Sequence, residues 1–149
     1  MGQVCVWDLV TGTCVFSLEA HQGARVSSLL ATLLYVVSAG TDNKICIWDK
    51  YSGHLVHTIY QHHSICRDML LLARNILVTA REDHLVLWDV SEGRALRVVL
   101  LDGQQKAENR REGHYVRNIR LASKSRAVVC DLGKYLCVVH FPGITQKDD

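Results

Sequence analysis

Three stretches decide the fold: VCVWDLVTG at 4–12, ICIWDKYSG at 45–53 and LVLWDVSEG at 85–93. Each opens with alternating apolar residues, passes through Trp-Asp and closes on a glycine. Alternation with a period of two sends successive side chains to opposite faces, which is the pattern of a strand. The glycine ends a tight turn and launches a second strand. Trp7-Asp8, Trp48-Asp49 and Trp88-Asp89 recur at intervals of 41 and 40 residues. Such an interval marks a series of similar supersecondary units.

A fourth copy is degenerate. LCVVHFPG at 136–143 repeats the strand and turn, with Val139 in the tryptophan place and His140 in the aspartate place. Val139 follows Trp88 by 51 residues, and the extra length falls at 102–114, DGQQKAENRREGH. That stretch is polar, charged and aperiodic, so it is expected to be an inserted surface loop.

Working outward, strands are expected after the glycine turns at 14–18, 54–60 and 95–101. Others are expected at 26–30, 34–39, 65–72, 76–80, 116–121, 126–131 and 135–141. With the strands of one unit lettered a to d, the chain reads c-d, a-b-c-d, a-b-c-d, a-b-c. The unit boundaries fall at 1–19, 20–60, 61–101 and 115–141, with the loop at 102–114 and a tail at 142–149.

The repeats resemble the WD-repeat β-propeller family over nearly the whole chain. The resemblance implies an all-β fold of four-stranded blades. Here it would be the C-terminal part of one propeller, with two full and two partial blades. In that family a His before strand a, a Ser or Thr in strand b, an Asp in the b–c turn and the strand-c Trp form a hydrogen-bonded tetrad. The second unit matches with His21, Ser38, Asp42 and Trp48. The third matches with His62, Thr79, Asp83 and Trp88. Its b–c turn is one residue shorter, and the His-to-Trp interval of 26 against 27 selects His62 over His63. A half-buried indole N–H, a hydroxyl and an imidazole each need a partner, and in series they satisfy one another. These residues are therefore expected to be structural. His21, Ser38 and Asp42 are not read as a nucleophilic triad, since nothing suggests an oxyanion hole or an exposed nucleophile. No tetrad is expected in the fourth unit, where Cys130, Val139 and His140 take the polar places.

Met1 falls immediately before a strand c, and the last unit stops after its strand c. Both ends would then leave open strand edges, so the sequence reads as a piece of a longer propeller, marginal on its own. AVVCDLGKYLCVVHFPG at 127–143, with SAGTDNKICIWDKYSG and LVTAREDHLVLWDVSEG upstream, also resembles the cytosolic propeller of a family of sterol-regulated escort proteins. That resemblance implies a protein partner, the C-terminal regulatory part of the sterol regulatory element-binding protein (SREBP) precursor. It also implies a membrane-embedded parent protein and a place on the cytosolic face of endoplasmic reticulum and Golgi membranes. The alternative is another WD-repeat scaffold, such as a ubiquitin-ligase substrate receptor. An enzyme is the third reading, and no acid–base constellation foreshadows it.

Composition agrees with a globular domain: 48% hydrophobic and 21% charged, with a single proline. The longest apolar run, 29–37, is broken by Thr32 and is too short to span a bilayer. The net charge of +2 is uneven, with 13 of the 17 Lys and Arg residues against 9 acids between Arg67 and Lys134. A propeller binds through its loops and rim, so this basic cluster is the candidate partner surface, above all Arg81, Arg110, Arg111, Arg117 and Arg120. Arginine suits it because its planar fork grips carboxylates. Arg81 stands where the second unit has Gly40. For any one of them the plainer reading is a solvated charge. Nucleic acid is not expected at so low a net charge with few exposed aromatics.

No metal or cofactor is expected. His54 and His57 are three apart on a strand and point to opposite faces, no C-x-x-C pair occurs, and no glycine-rich phosphate loop is present. Cys5 and Cys46 sit two residues before their tryptophans, where Val86 and Cys137 stand in the other copies. All four are expected to be small apolar core residues in a reducing compartment.

Overall fold

The computed structural model describes residues 2–61, 66–101, 115–122, 126–133 and 135–142. All regular structure among them is β. The chain divides into two compact units, Met1–Cys66 and Arg67–Asp149.

The first unit holds two antiparallel sheets. Strands β1 (Gln3–Asp8) and β2 (Thr13–Glu19) form a two-stranded sheet. Strands β3 (Val26–Ala31), β4 (Tyr35–Gly40), β5 (Lys44–Asp49) and β6 (Leu55–Tyr60) form a four-stranded meander in chain order. Antiparallel neighbours need only short turns, which is why each unit of about forty residues can close a sheet by itself. Val4 and Leu18 of the first sheet pack with Ala20 and Val36, against Phe16, Val26 and Trp48. Ile45 and Ile47 on one face of β5 are completely buried, and Cys46 on the other is nearly so, as expected for a central strand.

The second unit repeats the plan. Strands β7 (Asp68–Ala73), β8 (Ile76–Ala80), β9 (His84–Asp89) and β10 (Arg94–Leu100) form a meander, with β10 at one edge and β7 at the other. Strands β11 (Asn118–Leu121), β12 (Ala127–Asp131) and β13 (Leu136–His140) form a three-stranded sheet. Their shared core is Val78, Leu85, Leu87, Val116, Ile119, Val128 and Phe141. Asp68 at the head of β7 fastens the two sheets, since its Oδ2 accepts the Ile119 backbone N–H at 3.0 Å and lies 3.3 Å from Arg120 Nη1.

The sheets therefore hold two, four, four and three strands. The expected segment 65–72 begins instead at Asp68, and Ile65 lies outside the described residues. The expected loop 102–114 and tail, apart from Pro142, also lie outside them.

The cysteines divide. Cys46 and Cys130 are buried and Cys137 is half-buried, but Cys5 is exposed. The expectation that Cys5 is a core residue is corrected. Its face of β1 has no further sheet over it among the described residues, whereas β5 is a central strand. Burial raises the Cys46 thiol, and pushes Cys130 up to about 11 with Cys137 adding to the effect. Both are protonated packing groups rather than nucleophiles.

Candidate functional site

The Trp-Asp-turn-Gly signature is a local device. Asp8, Asp49 and Asp89 each turn a carboxylate back onto the turn that follows. Asp8 Oδ1 accepts from the Val10 and Thr11 N–H at 2.7 and 3.2 Å. Asp49 accepts from Tyr51 N, Ser52 N and Ser52 Oγ, and Asp89 from Ser91 N, Ser91 Oγ and Glu92 N. The glycine N–H closes the turn onto the aspartate carbonyl at 2.8, 2.9 and 2.8 Å. Gly12, Gly53 and Gly93 all have φ of 65 to 70°, the left-handed region that a side chain disfavours. The ladder also slips by one residue beside each turn. An aspartate followed four residues later by glycine is thus the chemistry of a bulged hairpin turn. Donors from Ser52 and Ser91 hold the Asp49 and Asp89 carboxyls below the usual carboxylate range.

The tetrad residues are placed differently in the two meanders. In the first, the His21 ring is wholly buried and bonded at both nitrogens, Nδ1 to Asp42 Oδ1 at 2.9 Å and Nε2 to Ser38 Oγ at 3.0 Å. That pattern gives the Asp42 carboxylate an N–H donor at Nδ1 and leaves Nε2 to accept from the Ser38 hydroxyl. Gly40 makes room for it, since a Cβ there would collide with the His21 ring and the Asp42 carboxylate. Trp48 stands outside the chain, its buried Nε1 without a partner among the described residues.

In the second meander the tryptophan link is built. Trp88 Nε1 donates to Thr79 Oγ1 at 2.9 Å, and Thr79 is fully buried. Asp83 does not enter. Its side chain is 70% exposed and pairs with His84 Nδ1 at 2.9 Å. The cause is the shortened turn. Arg81 N–H bonds to His84 carbonyl at 3.0 Å, so Glu82 and Asp83 form the tip of a two-residue hairpin. In the first meander the extra residue is absorbed by Asn43, at φ 60°. Arg81 also brings a Cβ to the place that Gly40 keeps clear. His62 lies outside the described residues.

The two hydroxyls, Ser38 and Thr79, are fully buried and hydrogen-bonded within the sheets. Among the described residues, no group of three or more His, Cys, Asp or Glu side chains could hold a metal ion.

The candidate partner residues are scattered. Arg81 is half-buried in the b–c turn. Arg117 is exposed ahead of β11, its guanidinium against Gly133. Arg120 is exposed but engaged by Asp68 and by its own Ile119 carbonyl at 2.9 Å. Arg110 and Arg111 lie outside the described residues. Arg67, which the sequence reading left among the general cluster, stacks on Tyr115 with its guanidinium 5.9 Å from the ring centroid. Glu82 and Asp83 share this end of the sheets, so the surface is mixed rather than uniformly basic.

Repeat, sheet order and turn chemistry are those of β-propeller blades. The chain is 33% identical over 148 residues to the sterol regulatory element-binding protein cleavage-activating protein of Xenopus laevis. That match takes in 99% of this chain and 11% of the relative, so the chain spans about a tenth of that protein's length. No protein-family model matches. Among solved structures, the computationally designed Ika4 protein superposes with a TM-score of 0.72 at 23% identity, over 93% of this chain and 79% of that one. A chain of the mitotic checkpoint complex superposes with a TM-score of 0.74 at 18% identity, over 94% of this chain and 44% of that one. At these identities the two structures speak to the fold alone.

Proposed function

We propose that this chain is part of a non-catalytic, protein-binding scaffold whose partner is the C-terminal regulatory part of the SREBP precursor. The parent protein would be a membrane-embedded escort carrying that precursor from endoplasmic reticulum to Golgi under sterol control, with this segment on the cytosolic side. The observation that carries the reading is the 33% identity, sustained over 148 residues, to a protein named for cleavage activation of SREBP. The fold agrees, because the buried polar groups serve the blades and leave loops and rim for contact. No helix among the described residues is long and apolar enough to cross a membrane, so this segment is assigned to binding rather than anchoring.

The test is co-purification of the SREBP regulatory part with the complete parent protein. Wild type is expected to retain it. Arg81→Glu and Arg117→Glu are each expected to weaken retention by about tenfold, as for a carboxylate-gripping interface arginine. Failure of the wild-type protein to retain the regulatory part overturns the proposal. Unchanged retention by both variants removes the arginines from the site.

A further inference from the structure

Strand β10 is an edge of the second meander and, among the described residues, is hydrogen-bonded to β9 alone. Leu101 N–H bonds to the Asp83 carbonyl at 2.9 Å. In an antiparallel ladder, bonded and non-bonded pairs alternate. With Val99 opposite Leu85 and Arg97 opposite Leu87, these residues spend their backbone groups on β9. Val98 and Leu100, opposite Val86 and His84, therefore turn their N–H and C=O groups outward. The side chains at the same two positions are exposed by 57% and 71%, with Leu96 beside them at 44%. The free edge thus offers backbone donors, backbone acceptors and an aliphatic row together.

Natural edges are commonly blunted by charge, by proline or by a covering side chain. The equivalent strand β6 follows that rule. Gln61 N–H bonds to the Asn43 carbonyl, so Thr58 and Tyr60 face its free edge. Lys44 lies over the Tyr60 ring, 5.7 Å from its centroid. β10, RALRVVL, has no proline, lysine or carboxylate. It does carry Arg94 and Arg97, both exposed. Arg94 is opposite Asp89, whereas Arg97 is opposite Leu87.

We infer that β10 is a strand-addition site for a partner segment that is extended, aliphatic on one face and acidic opposite Arg97. This deepens the protein-binding reading and rests on it. Main-chain pairing to Val98 and Leu100 supplies the attachment, the aliphatic row supplies burial, and Arg97 selects a carboxylate over a basic side chain. Strand addition separates this site from a loop contact, because only strand addition consumes the edge amides.

The experiment uses the complete parent protein with the SREBP regulatory part as probe. Amide hydrogen exchange is followed at β10 with and without the probe. Exchange at Val98 and Leu100 is expected to slow at least tenfold in the complex, while Arg97 and Val99, already bonded to β9, change little. Val98→Pro removes an outward N–H without breaking the ladder and is expected to weaken binding more than tenfold. Arg97→Glu is expected to weaken it as well, and Arg97→Lys to restore most of the loss. Binding with unchanged exchange at Val98 and Leu100 overturns the inference and leaves the scaffold reading standing. Absence of binding by the wild-type protein overturns both. The exchange measurement needs no variant, so misfolding of Val98→Pro does not blur the result.

Discussion

The two four-stranded meanders carry the same repeat yet, among the described residues, show different links of one polar network. In the first, His21, Ser38 and Asp42 form a closed chain and the Trp48 indole is left out. In the second, Trp88 and Thr79 are joined and Asp83 has turned away to His84 at the turn tip. One position accounts for much of this. Gly40 leaves space for the His–Asp pair beneath the b–c turn, whereas the second meander has Arg81, with a Cβ, at the matching position and loses a residue from the turn. The lesson is that the link from strand b to strand c forms in the second meander although Asp83 has left the place that Asp42 holds in the first.

The comparison can be broken most sharply at Gly40. Gly40→Ala should force the His21 ring and Asp42 apart in a closed interior, at a cost of about 3 kcal/mol by overpacking and loss of buried hydrogen bonds. Equilibrium urea unfolding, read as a shift in midpoint at constant slope, measures it. His21→Ala strands the Ser38 hydroxyl and the Asp42 carboxylate and should cost about 2 kcal/mol in the same assay. The tryptophans come next. Trp88→Phe removes the donor to a buried hydroxyl and should cost about 1 kcal/mol more than Trp48→Phe, whose indole N–H has no partner among the described residues. Equal losses at the two sites would collapse the distinction between the meanders. Asp83→Asn, at an exposed turn tip, should change stability by less than about 0.5 kcal/mol, whereas Asp42→Asn should exceed it clearly.

The smallest effect is set by the turns. Asp49 and Asp89 are held below their ordinary carboxylate range by hydrogen bonds that favour the ionised form. A carboxyl lowered in the folded state stabilises it at every pH above the ordinary value. That contribution is lost as pH falls through the lowered value. Midpoints measured across the acid range should therefore fall with pH, and Ser91→Ala should flatten the slope, since the Ser91 hydroxyl is the chief cause at Asp89.

The strand plan was legible in the sequence because it rests on short-range rules. Alternation marks strands, and an aspartate four residues before a glycine marks a bulged turn, so sheets of two, four, four and three strands follow from counting. The His21 network was legible because its spacing is regular. Asp83 was not, since a one-residue deletion changes the turn type and swings the side chain outward, which spacing alone does not show. Cys5 was misjudged because burial depends on what covers a strand, and the same motif place is central in β5 but has an open face in β1. The β10 edge lay hidden for a related reason. Which residues turn their backbone outward depends on ladder register, and one irregularity between Ala95 and Arg97 resets it.

The Asp–Gly turn has a consequence for how the chain acquires its structure. Each such turn joins strands adjacent in sequence and draws its bonds from a window of five residues. Closing so short a loop costs little entropy, and hairpins of this kind form within about 1–10 microseconds. The outermost hairpin of each blade can then arise as soon as its own residues are available. Contacts between sheets, such as Asp68 to Ile119, must wait for some fifty more residues to emerge. Assembly would run hairpin by hairpin, in the order of synthesis.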